Sequence, residues 1–308
     1  MSRNQAVDLS AGARFLDPRV LAKIGNLELV ARTVVEGFIN GLHRSPHLGL
    51  SMDFAEHRAY MPGDDIRRID WRVYGRTERF YVKEFEADTN ANFGVLLDIS
   101  RSMSFASPGA GLSKLDYARY LAACLAYFSH RQRDRVGLVT FDEDIVDFVP
   151  PSAKHLPIVL HTLDRIESKN QGALGKPMLK IAENFRRRSI LLVISDLYEE
   201  PRSVLQALDY LRNKGSDLIV MHVLDPAELE FPFDEAASFQ DLETGVTLPV
   251  IPDYLRDQYR ALVTEHVRGL SRLLGENGID YAMFDTSKPL DHALFNYLSN
   301  RQRLMRVR

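Results

Sequence analysis

From Asn92 onward, short unbroken apolar runs alternate with longer stretches in which apolar residues recur every three or four positions. The runs Val136-Gly137-Leu138-Val139, Ile190-Leu191-Leu192-Val193-Ile194 and Leu218-Ile219-Val220-Met221 lack the in-out alternation of half-exposed strands. They predict strands buried on both faces. Strands are expected at 93–98, 135–141, 145–149, 189–195, 217–224 and 279–284. Helices are expected at about 113–131, 154–167, 177–187, 201–214, 253–276 and 290–304. Ser113 is the expected cap of the first, with Asp116 three residues on at the positive end of the helix dipole. This order is that of an α/β fold with a mostly parallel sheet covered by helices on both faces. Residues 226–251, carrying Pro226, Pro232, Gly245 and Pro249, interrupt it and predict an exposed hairpin or lid.

Residues 1–90 read differently. Leu21, Ile24, Leu27, Val30, Val34 and Phe38 place an amphipathic helix over 18–41, with Asp17 as cap and Pro18 at the first helical position. A charged, irregular stretch then leads to a strand at Arg79-Phe80-Tyr81-Val82-Lys83-Glu84-Phe85. The expected organisation is an N-terminal extension over 1–90 and a main domain over 91–308.

Bulk properties change this picture little. The chain has 308 residues, 45% of them hydrophobic and 26% charged, as in an ordinary globular protein. A net charge of -3 argues for neither nucleic acid nor an acidic membrane surface. The basic runs Arg186-Arg187-Arg188 and 301–308 read as a helix end and a solvated tail. The single cysteine, Cys124, lies in an apolar helical run and excludes an intramolecular disulfide or a multi-cysteine zinc site. No window reaches the roughly 18 apolar residues of a membrane span, so a cytoplasmic protein without stable membrane insertion is expected.

The candidate chemistry lies where the first strand of the main domain ends, in Leu97-Asp98-Ile99-Ser100-Arg101-Ser102-Met103. An acid followed by two hydroxyls at alternate positions sits at the carboxyl end of a buried strand, where open α/β sheets bind ligands. Oxygen donors with little charge suit a hard cation, Mg²⁺ above all. Asp196 ends a second apolar strand, expected beside the first. Two neighbouring carboxylates repel unless a cation or a proton intervenes. The expected site has Ser100 and Ser102 as direct ligands and Asp98 and Asp196 acting mainly through water. The same residues also admit a reading as strand-end turn formers that satisfy backbone amides.

This constellation resembles the metal-ion-dependent adhesion site of von Willebrand factor A domains. A second resemblance is carried by Arg58-Ala59-Tyr60-Met61-Pro62-Gly63-Asp64-Asp65-Ile66-Arg67-Arg68-Ile69-Asp70-Trp71, preceded by Gly49-Leu50-Ser51-Met52-Asp53-Phe54 and followed by Tyr81-Val82-Lys83-Glu84-Phe85. Together these resemble the bacterial family called domain of unknown function 58, from about residue 35 to the C-terminus. The resemblance implies a doubly wound, Rossmann-like von Willebrand A sheet behind an N-terminal α+β extension. It implies partnership with a MoxR-type AAA+ ATPase. The adhesion-site pattern usually supplies a threonine from a second loop. Here Gln171-Gly172-Ala173-Leu174-Gly175 places Gly172 at that position, which implies weak Mg²⁺ binding or a site without metal, with Gln171 and Ser168 as the side chains able to stand in. In the charged block, Arg58, Asp64, Asp65, Arg67, Arg68 and Asp70 are expected to form an ion-pair clamp, with Trp71 buried as its anchor.

No catalytic constellation emerges. A phosphohydrolase with an aspartate nucleophile wants a second acid two residues on, where Ser100 stands. His43 and His47 are separated by Pro46, and Ser195-Asp196 lacks the glycines of a nucleophile elbow. No phosphate-cradling loop is present, so ATP chemistry belongs to a partner. The expected function is a non-enzymatic interaction module, an adaptor or co-chaperone gripping an acidic side chain of a partner, with a client protein possible beyond it. The alternative is a metal-dependent phosphohydrolase using Asp98 and Asp196.

Overall fold

The computed structural model describes residues 26–43, 56–60, 71–84, 91–108, 111–185 and 188–290. The chain divides into two compact units. The first holds the N-terminal helix as far as Phe38 and everything from Ala91, and the second spans Ile39–Asn90.

In the first unit, helix α1 (Leu27–His43) begins where the side chain of Asn26 accepts a hydrogen bond from the Leu29 amide. The expected cap Asp17 and the first part of the expected helix, with Pro18, Leu21 and Ile24, lie outside the described residues. Leu27, Val30, Ala31, Val34 and Val35 are buried at helical spacing, as the pattern requires. In the second unit, strands β1 (Glu56–Ala59) and β2 (Tyr81–Glu84) pair antiparallel around the short helix α2 (Trp71–Thr77). Trp71 corrects the sequence reading. It is 58% exposed, and its ring meets Tyr74 and Phe80 edge-on in a surface cluster rather than anchoring a core. The charged block that Trp71 was expected to anchor lies, from Met61 to Asp70, outside the described residues.

From Asn92 the chain builds a six-stranded sheet. Its strands are β3 (Asn92–Asp98), β4 (Arg135–Phe141), β5 (Ile145–Ser152), β6 (Ser189–Ser195), β7 (Asp217–Leu224) and β10 (Asp280–Asp285), in the order β10-β7-β6-β3-β4-β5. All pairings are parallel except β4 with β5. The architecture is therefore α/β with a mostly parallel sheet. Helices α3 (Lys114–Arg131), α4 (Leu156–Arg165), α5 (Gly175–Asn184), α6 (Pro201–Arg212) and α8 (Pro252–Glu276) connect the strands. Leu96, Val139, Leu191, Val193 and Val220 face the buried sides of α5, α6 and α8, through Met178, Ile181, Leu208, Leu211, Leu270 and Leu274. Side chains alternate along a strand, so Val95, Leu97, Leu138, Leu192 and Ile194 line the opposite face, where the buried α3 packs. Burying both faces explains why these strands are apolar at most positions instead of alternating.

The expected interruption at 226–251 is a short helix, α7 (Pro226–Glu230), followed by an antiparallel hairpin of β8 (Ala237–Gln240) and β9 (Thr247–Val250). Asp225 and Glu228 form a capping box at the start of α7. Ser113 caps α3 by accepting from the Asp116 amide, as its spacing predicts.

Candidate functional site

Strands β3 and β6 are parallel neighbours, so Asp98 and Asp196 emerge side by side at the carboxyl edge of the sheet. Both are buried. Asp98 is held from two directions. Its Oδ1 accepts from the Ser100 amide at 2.8 Å, and its Oδ2 accepts from the Ser195 hydroxyl at 2.6 Å. Burial, and then the neighbouring Asp196 charge, push the Asp98 carboxyl up to about 7 against the hydrogen bonds that favour its ionised form.

The chain turns sharply after Asp98 into a 3₁₀ turn, Arg101–Ser104. This turn brings the Ser100 and Ser102 hydroxyl oxygens within 3.1 Å of each other. Two ligands at right angles around Mg²⁺, each about 2.1 Å from it, lie about 3 Å apart. The hydroxyl pair therefore has the span of one octahedral edge, next to the buried carboxyl of Asp98. In these respects the residues fit a hard cation.

Asp196 is engaged otherwise. The ammonium of Lys114, at the first turn of α3 and fully buried, lies 2.8 Å from Asp196 Oδ2 and 2.7 Å from Glu228 Oε1. It also stands 4.7 Å from the centre of the Tyr198 ring. Burial alone would lower the Lys114 ammonium, but the Asp196 and Glu228 carboxylates outweigh it and hold it above its ordinary value. The other oxygen of Glu228 accepts from the Asp225 amide, so the capping box of α7 fixes the third member of the triad. Part of the positive charge that the two strand-end acids demand thus comes from the chain itself. Among the described residues, no cluster of three or more His, Cys, Asp or Glu is arranged to hold a metal.

His222 on β7 also escaped the sequence reading. Its Nε2 lies 2.7 Å from the Asp196 carbonyl oxygen and its Nδ1 2.7 Å from the Tyr281 hydroxyl. A carbonyl can only accept, so Nε2 carries the proton and Nδ1 accepts from Tyr281. Burial depresses the imidazole to about 4, which keeps it neutral. It fixes the backbone of Asp196 and does not touch the carboxylate. A polar residue breaking an otherwise apolar strand was the available signal.

The loop from Ser168 to Leu174 closes over the site. Ser168 donates its hydroxyl to the Ser100 carbonyl, the Arg101 amide donates to the Asn170 carbonyl, and Arg101 Nη2 donates to the Lys169 carbonyl. The Ser168 hydroxyl thus donates to backbone, and the Gln171 side-chain NH₂ donates to the Glu243 carbonyl. Gly172 is required for a steric reason. A Cβ there would lie 2.8 Å from the Ser100 Cβ and 3.1 Å from its Oγ. Gly172→Ala is accordingly expected to cost about 1–3 kcal/mol and to displace the Ser100 hydroxyl, read by urea unfolding and by the chemical shifts of Ser100. Unchanged stability and shifts would show that the loop yields freely.

The fourth participant could not be anticipated from the sequence pattern. Glu243, at the tip of the β8–β9 hairpin, reaches into the site. Its Oε1 accepts from the Ser102 amide at 2.9 Å and its Oε2 from the Gly172 amide at 2.8 Å. One carboxylate thus bridges the two loops beside the paired hydroxyls.

Among known proteins, the chain is similar to uncharacterized proteins of Mycobacterium tuberculosis (strain H37Rv) and Mycobacterium bovis. Each is 26% identical over 293 residues, covering 93% of this chain and 91% of the relative. Among solved structures it is similar to the conserved hypothetical protein BatB from Bacteroides thetaiotaomicron, with a TM-score of 0.46, 20% identity, and coverage of 69% of this chain and 99% of that one. It is also similar to an aerotolerance-related membrane protein from Bacteroides fragilis, with a TM-score of 0.44, 21% identity, and coverage of 66% and 96%. No helix among the described residues is long and apolar enough to cross a membrane. The family described as Protein of unknown function DUF58 matches residues 56–269, from β1 through both strand-end acids and the Glu243 hairpin into α8, and this chain belongs to it.

Proposed function

We propose that this chain is a cytoplasmic, non-enzymatic interaction module of the von Willebrand A type, serving as adaptor or co-chaperone of a MoxR-type AAA+ ATPase. In this reading it grips an acidic side chain of its partner at the strand ends. The observation that carries the reading is the convergence of the Ser100 and Ser102 hydroxyls, 3.1 Å apart, next to a buried carboxyl. Mg²⁺, where bound, would be held by Ser100 and Ser102. Asp98 would act through water, and Asp196 through the carboxylate oxygen that does not face Lys114. The ion would supply a positive centre for a partner carboxylate. With Gly172 in place of a threonine and Lys114 already neutralising part of the charge, weak binding is the expected consequence. The chain's own residues do the rest: Ser195 and the Ser100 amide orient Asp98, His222 fixes the backbone of Asp196, and the 168–174 loop shapes the mouth.

The test compares wild type with S100A/S102A for binding to the MoxR-type ATPase encoded nearby, at identical Mg²⁺ and nucleotide. At least tenfold weaker binding by a folded double variant is expected. Equal binding would remove the strand-end site from the interaction. Turnover of a phosphate ester that disappears in Asp98→Ala would instead favour the metal-dependent phosphohydrolase.

A further inference from the structure

The β8–β9 hairpin is held unequally at its two ends. At its base, Phe231, Phe233, Phe239 and Tyr259 stack together, with Phe231 and Tyr259 ring centres 4.7 Å apart. Arg256 ties down the Phe233 carbonyl, and Arg260 the Glu230 carbonyl. The tip is itself well formed. The Asp241 carboxylate accepts from the Glu243 amide and the Thr244 hydroxyl, and Gly245 takes the positive φ of 74° that closes the turn. Among the described residues, three hydrogen bonds join this tip to the strand-end loops, all of them to Glu243: Ser102 and Gly172 amides to its carboxylate, and the Gln171 side chain to its carbonyl. A two-stranded hairpin gains little stability from its own pairing. The tip is therefore held to the strand-end loops through a single residue, on a base fixed by its own contacts.

The two amides that receive Glu243 come from different loops, 70 residues apart in the sequence, and point at the two oxygens of one carboxylate. We infer that Ser102 N and Gly172 N form a carboxylate-binding cradle which Glu243 fills in cis, and that an acidic segment of a partner binds there only by displacing it. This rests on the reading of the strand ends as an interaction site and adds its ligand contact and its internal competitor. The chemistry selects a carboxylate over its amide. A glutamine side chain offers one acceptor oxygen and would set an NH₂ group against the second N–H. An occupant tethered on the same chain acts at an effective concentration in the millimolar range, so a partner must outcompete it, and removing Glu243 should expose the cradle.

The experiment uses full-length wild type and E243Q. Amide hydrogen exchange is read at Ser102 and Gly172, with amides of β3 and β6 as the control for an intact fold. The ligand probe is a cyclised peptide of residues 237–250, beside the same peptide carrying E243Q. Exchange at the two cradle amides is expected to rise at least tenfold in E243Q and to fall again on adding the acidic peptide only. That peptide should bind E243Q at least tenfold tighter than wild type. Unchanged exchange, equal peptide binding to both proteins, or no binding to E243Q would each overturn the inference. Failure of the interaction reading shows separately, in the S100A/S102A comparison, which involves neither Glu243 nor the peptide.

Discussion

Replacing Lys114 by methionine is expected to lower unfolding stability by about 3–5 kcal/mol, the range for removing one partner of a buried ion pair. Methionine preserves most of the volume and so isolates the charge. The Lys114 ammonium is the cation within hydrogen-bonding distance of both Asp196 and Glu228, and all three groups are shielded from solvent. Without it, two carboxylates remain at the sheet edge beside Asp98, and each must take up a proton or draw water into the interior. The loss arises from the unpaired acids rather than from any large net gain of the intact triad. K114M combined with E228Q should therefore recover part of it. Urea unfolding of the two variants reads the difference, and a loss below 1 kcal/mol in K114M would show that solvent reaches the triad.

Asp98→Asn is expected to stabilise the metal-free chain at pH 8 and to lose that advantage toward pH 4. The sign follows from the direction of its shift. The folded carboxyl is raised to about 7 from the ordinary 3.8, so its contribution is full below 3.8 and disappears as pH rises through 7. The gap corresponds to roughly 4 kcal/mol at alkaline pH, an upper bound because asparagine disturbs the hydrogen bond from Ser195. His222 works in the opposite direction. Its folded value is depressed from 6.5 to about 4, so stability present above 6.5 falls as pH drops toward 4, by roughly 3 kcal/mol. Over pH 4 to 6.5 the two contributions of the wild type nearly cancel, whereas Asp98→Asn leaves the His222 slope alone. Stability measured against pH for both proteins is the check, and parallel profiles would refute the assignment to Asp98. If Mg²⁺ binds at the serine pair, 10 mM of it should raise the melting temperature of wild type and leave that of the variant unchanged.

The strands were legible because burial on both faces leaves one pattern available. The expected 135–141, 189–195 and 217–224 coincide with β4, β6 and β7. The adjacency of Asp98 and Asp196 followed from both lying at the ends of such runs. The expected strand at 145–149 stops short of Pro150-Pro151, whereas β5 includes both. It runs on to Ser152 because it is an edge strand with a register shift opposite Gly137, where a Cβ would meet the Val149 carbonyl and Pro151. Lys114 was not legible. A lysine next to a helix cap reads as solvated, and only the meeting of α3 with the end of β6 and with α7 buries it. Glu243 is 141 residues from Ser102 and sits among exposed polar residues, so nothing local marks it. Trp71 misled because size and aromaticity favour burial in general, whereas a three-ring surface cluster needs none.

The two prolines of β5 also bear on how these molecules behave in company. As an edge strand β5 has a free hydrogen-bonding margin, and Val146 and Phe148, two apart on one face, are exposed apolar side chains beside it, a combination that invites a second sheet to join. Of two successive residues without an N–H, one faces the free edge and removes a donor there, and two breaks in register against β4 further interrupt the ladder offered to an incoming strand. The proline end of this margin is thereby a poor template for a second strand, which works against fibrous self-association.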